Sequence, residues 1–87
     1  METGMTGNAT PRYRGTVAGS DFAFDPPRQL VMVLDPRHRA HKKRIRVGSV
    51  SEETGSLRTH ESVEFEIKEV VEDGFRKWIA NKVRTIV

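Results

Sequence analysis

The sequence predicts an all-β protein built from five strands. Three observations carry this. Apolar residues recur with period two, or in short continuous runs, between clusters of Gly, Pro and Asp. The pair Asp73-Gly74 stands between two stretches of strand character, where it would make a two-residue hairpin turn. The last third of the chain is dense in β-branched residues, which are stiff at χ1 and favour a pleated sheet over a helix.

The elements follow in order. Met1 to Thr10 (METGMTGNAT) is small, polar and rich in Gly and Thr, so a disordered tail is expected there, with one ordered domain over 11–87. From Arg12 to Val17, Tyr13, Gly15 and Val17 alternate with Arg14 and Thr16, a strand pattern. Gly19-Ser20-Asp21 is turn material, and Asp25-Pro26-Pro27 halts any element because Pro fixes φ and lacks a donor. Leu30 to Leu34 is a continuous apolar run of strand length, ended by Asp35-Pro36. Arg44 to Val47 makes a third strand with Ile45 and Val47 pointing inward, and Ser49 to Ser56 is a loop.

The C-terminal third supports two readings. With period two, Val63, Phe65 and Ile67 alternate with Glu64, Glu66 and Lys68, giving strands at Val63–Val70 and Phe75–Ile86. With period 3.6, Val63, Ile67, Val70, Val71, Phe75, Trp78, Ile79, Val83 and Ile86 form one helical stripe, which would make the protein α+β with a C-terminal amphipathic helix. Gly74 in mid-helix would cost about 1 kcal/mol. Phe65 would fall off the stripe, and nine of the 25 residues from Val63 to Val87 are β-branched. The strand reading is adopted.

At this point patches of the chain resemble the cold-shock domain. They are Arg14-Gly15-Thr16-Val17, Phe22-Ala23-Phe24, Leu57 to Ile67 (LRTHESVEFEI) and Ala80-Asn81-Lys82-Val83. The resemblance implies a five-stranded OB-type barrel that binds single-stranded RNA or DNA. His60 stands where the family has Gly. The family's second aromatic motif falls on Val31 to Asp35, without its aromatic and His groups, so binding here is expected to lean on charge.

Composition fits that expectation. The chain has 87 residues, 36% hydrophobic and 31% charged, with no Cys. A small core, a charged surface and a reducing, cytoplasmic setting are expected. No apolar run approaches a membrane span, and Met1 to Thr10 lacks the basic and apolar regions of a secretory signal. Met1 to Val50 holds nine Lys/Arg against four Asp/Glu, whereas Ser51 to Val87 holds six against eight. Such asymmetry predicts one anion-attracting face.

The densest cationic stretch is Pro36 to Arg46, with six Lys/Arg, two His and no acid. Arg37, Arg39, Lys42, Lys43, Arg44 and Arg46 are therefore the candidate phosphate-binding residues. The bland alternative is a solvated loop or a charged edge strand. Tyr13, Phe22 and Phe24 are candidate stacking residues, with at least one expected to serve the core instead. Trp78 is expected in the core or closing one end of it. His38 and His41 lie in a cationic run that repels a metal ion, so they are expected to gain charge below about pH 6.5 rather than bind metal. No metal or cofactor is expected. There is no Gly-rich phosphate loop, nucleophile elbow or apolar acid pair, so no enzyme is expected. The sequence thus predicts a monomer that binds single-stranded RNA or DNA with weak sequence preference. The alternative is an interaction module docking an acidic protein, with no membrane partner in either case.

Overall fold

A computed structural model describes residues 10–86. The expected disorder of Met1 to Thr10 falls outside the described residues, Thr10 excepted. The described residues contain five strands and no helix: β1 (Tyr13–Asp21), β2 (Arg28–Val33), β3 (Arg44–Val47), β4 (Ser62–Glu72) and β5 (Phe75–Thr85). They close into a barrel in the order β1-β2-β3-β5-β4. Every pairing is antiparallel except β3 with β5, which is parallel. This is a small OB-like barrel. No described helix is long and apolar enough to cross a membrane.

Alternation places the core. Val17, Val31, Val33, Ile45, Val63, Phe65, Ala80 and Val83 point inward and are buried. Leu57 and Ala40 are added from loops, and Phe65 is the largest fully buried side chain. Each such Val or Phe stabilises the fold by about 1.5–3 kcal/mol relative to exposure. Gly15 is buried at the tightest crossing. A Cβ built there would lie 2.1 Å from the Met32 carbonyl oxygen and 3.0 Å from Phe65 Cε2, so only Gly lets β1 pass between them.

The helical reading of the last third fails at Asp73-Gly74. Both residues have positive φ (52° and 80°), the geometry of a type I′ hairpin turn. β4 and β5 then pair from Glu72↔Phe75 back to Val63↔Thr85, with a bulge near Phe65 where Lys82 takes a φ of 53°.

Only Arg44–Val47 keeps its expected bounds; β2 starts earlier at Arg28, β4 runs longer from Ser62 to Glu72, and β1 departs most. Gly19-Ser20-Asp21 is not a turn but the end of β1. A register shift between Val17 and Ser20 lets Ser20 and Asp21 pair with Gln29 and Arg28. The reason is a bulge that accommodates Gly19 at a φ of 97°, prolonging pairing past the Gly. Leu34 is outside β2 and 49% exposed, because its N–H turns aside to the Arg14 carbonyl.

Candidate nucleic-acid interface

β3 and β5 pair only at Arg46↔Ile79 and Val47↔Ala80. Toward their N-terminal ends the two parallel strands diverge, and an open groove of about 310 Å³ forms there. Its walls are Leu30 of β2, Lys43 to Arg46 around β3, and Lys77, Trp78 and Ile79 of β5, with Asp21 and Phe24 at the β1–β2 end. Period two explains the outer row. Leu30↔Arg46 and Met32↔Arg44 pair with their side chains opposite to buried Val31↔Ile45. A single groove thus combines four cations, one acid and two aromatic rings.

The basic run does not act as one surface. Residues 34–43 form a loop folded against the barrel, held by the Lys42 N–H donating to the Val33 carbonyl and the Val33 N–H donating to the Lys43 carbonyl. Arg37 is withdrawn from the expected site. Its guanidinium donates to both carboxylate oxygens of Asp35 (Nε 2.9 and 3.1 Å, Nη2 2.7 Å) and to the Arg12 carbonyl at 2.6 Å. These bonds, chiefly the side-chain one, hold the buried Asp35 carboxyl well below the usual carboxylate range. The acid that pairs with the basic run lies one residue before it, so the run is less free than its composition suggests.

His38 also departs from expectation. It packs edge-on between Tyr13 (5.0 Å between ring centroids) and Trp78 (5.4 Å), while its Nδ1 accepts from the Ala40 N–H at 2.9 Å. Burial, aided by the Arg39 charge, lowers its pKa, so His38 stays neutral where a free histidine begins to charge. Tyr13, His38, buried Ala40 and half-buried Trp78 together close one end of the barrel. Tyr13 therefore serves the core rather than an open face, and Trp78 does what the sequence suggested while also lining the groove.

Of the remaining expected residues, Lys43, Arg44 and Arg46 reach the groove. Arg39 and Lys42 are exposed on the loop but do not line it, Lys42 having a φ of 69°. Phe24 lies at the groove end with the Arg28 guanidinium 4.1 Å from its ring centroid. Phe22 is 80% exposed at the start of the β1–β2 loop and outside the lining. Neither Phe is on a strand, because β1 ends at Asp21.

The structure adds Lys77 to the groove lining and places Arg28 and Glu72 in an adjoining depression that shares Arg46 and Ile79 with it; the sequence reasoning missed all three. Arg46 donates to both oxygens of Glu72 at 3.1 and 2.9 Å, and Lys77 Nζ lies 3.8 Å from the same carboxylate. Hydrogen bonding from Arg46 lowers the Glu72 pKa. The outer row Phe75, Lys77 and Ile79 follows from period two once Trp78 is assigned inward, so a question about that row would have found Lys77. No cluster of three or more metal-ligating side chains occurs among the described residues. No protein-family model, curated protein or solved structure matches the chain.

Proposed function

We propose that the protein binds single-stranded nucleic acid, RNA or DNA, in the groove between β2–β3 and β5, with weak sequence preference. The observation that carries this reading is the groove itself, in which Lys43, Arg44, Arg46 and Lys77 surround the rings of Phe24 and Trp78. Cations neutralise backbone phosphates whatever the sequence, and aromatic faces accept any base, each stack being worth about 1–3 kcal/mol. OB barrels engage oligonucleotides on the β2–β3 face and the β1–β2 and β4–β5 loops. This groove lies on that face, with Phe24 supplied by the β1–β2 loop.

A divergent cold-shock relationship belongs to the same proposal. Three of the four resembling patches fall on or run into strands, Arg14–Val17 in β1, Leu57–Ile67 running into β4 and Ala80–Val83 in β5, whereas Phe22-Ala23-Phe24 lies in the β1–β2 loop. His60, at the family's Gly position, has a φ of 71°, a backbone conformation that favours Gly. The stacking platform is reduced, so charge dominates the affinity.

The single Trp provides the assay. Titrating an oligothymidylate of about ten nucleotides, within the footprint of one OB barrel, should quench Trp78 fluorescence at low salt. A matching oligouridylate should do the same, whereas duplex DNA and polyglutamate should bind more weakly. No binding of either single strand at low salt would refute the reading, and tighter binding of polyglutamate would replace it with docking of an acidic protein.

A further inference from the structure

Glu72 lies beside the groove rather than in its lining, near the tip of the β4–β5 hairpin, in an adjoining depression with Arg28, Val47, Gly48 and Asn81 that shares Arg46 and Ile79 with the groove. Its carboxylate takes a bidentate pair of hydrogen bonds from the Arg46 guanidinium and lies near the Lys77 ammonium, and its side chain is still 39% exposed. A guanidinium offers the same two parallel donors to a carboxylate as to a phosphate. Arg28 adds to the positive field on Glu72. An exposed pair of this kind is worth little to stability, because water and salt screen it.

We propose that Arg46 and Lys77 form a backbone-phosphate subsite which Glu72 occupies in the free protein, so that a bound strand must displace the Glu72 carboxylate. This rests on the nucleic-acid reading of the groove and deepens it. Glu72 acts as an internal competitor. It offsets the charge of Arg46 when the groove is empty and weakens every sequence equally, because what it competes with is a phosphate. It also holds the guanidinium plane in a bidentate orientation that a phosphate inherits.

The bland alternative is that the pair only ties the hairpin to β3. Charge-matched variants separate the two. Glu72→Gln keeps the shape and removes the competitor. Glu64→Gln removes the same charge from a pair with Arg84 that borders neither the groove nor the adjoining depression. Each phosphate neutralised on a single strand contributes roughly 0.7 log units per decade of salt. Because the strand reaches this subsite with or without Glu72, Glu72→Gln should leave the salt slope nearly unchanged and tighten oligothymidylate binding by what the displaced exposed pair is worth, roughly two- to five-fold at about 50 mM salt. Glu64→Gln should change affinity less than about two-fold.

Equal effects of the two variants, or weaker binding by a Glu72→Gln protein that melts like the parent, overturn the proposal while leaving the groove reading intact. Failure of the parent to bind at low salt defeats the groove reading itself. If Glu72→Gln does not fold, carbon-13 observation of the Glu72 carboxyl in the unaltered protein decides the matter. On adding oligothymidylate its titration should move up toward that of an ordinary glutamate. An unmoved titration in the saturated complex means that Arg46 never left it.

Discussion

The sharpest consequence of the groove is a salt slope. Replacing Lys43, Arg44 and Lys77 together with Gln removes cations that line it without touching a buried residue, since all three are exposed. With Arg46 offset by Glu72, the groove and its rim present Arg28, Lys43, Arg44 and Lys77 to phosphates. Four neutralised phosphates give a slope of log K against log salt of about −2.8, and one gives about −0.7. Between about 50 and 200 mM salt the parent should then weaken about fifty-fold and the triple variant less than about three-fold. Fluorescence anisotropy of a labelled oligothymidylate over a salt series measures both slopes. Arg58→Gln with Lys82→Gln, outside the lining, serves as control and should keep the parent slope. An unchanged slope in the folded triple variant would refute the assignment, as would equal flattening in the control.

Other expectations follow from the same geometry. Phe22→Ala should leave the melting temperature within error, because the ring is 80% exposed, whereas Phe24→Ala should weaken oligonucleotide binding by about 1–3 kcal/mol; the reverse order in a paired melting and binding experiment would place Phe22 in the site. Gly15→Ala should destabilise by roughly 3 kcal/mol or more through the backbone clash with Met32, lowering the melting temperature by about 12–24 °C, and a scan showing a small loss would contradict the tight crossing. Asp35→Asn should cost about 1.5–3 kcal/mol in denaturant unfolding, since the charged hydrogen bonds to Arg37 are lost, with full stability in the variant denying them a role. The acid sensitivity has a defined sign. Asp35 is depressed in the folded state, so its contribution is present above the unfolded carboxylate range near 3.8 and is lost as pH falls below it. His38 is also depressed, so the unfolded chain takes up its proton first and stability falls as pH drops below about 6.5. Melting curves from about pH 7 to 3 should show both losses; His38→Phe should remove the first and Asp35→Asn the second.

The strands were legible because their signals are local. Period two at Val63, Phe65 and Ile67, a five-residue apolar run at Leu30, and an Asp-Gly pair with positive φ each declare themselves within a few residues. The same locality explains the misplaced boundary at Gly19. A Gly suited to a turn is equally suited to a bulge, and the pairing of Asp21 with Arg28 decides between them. Charge was legible as composition but not as a surface. The run from Arg37 to Arg46 looked like one patch, yet Arg37 turns back to Asp35, Arg46 engages Glu72, and Arg39 and Lys42 stay outside the groove. Its partners in the groove, Phe24, Lys77 and Trp78, come from distant parts of the chain. The amino-acid order by itself determined the alternation of core and surface, the turn residues and the basic bias of the first half. Closure of the barrel decided which charges are paired, which are free, and where they meet a ring. Side-chain direction depends on neighbouring dihedrals, whereas electrostatic partnership depends on distance through space, and that distance exists only once β3 and β5 lie side by side.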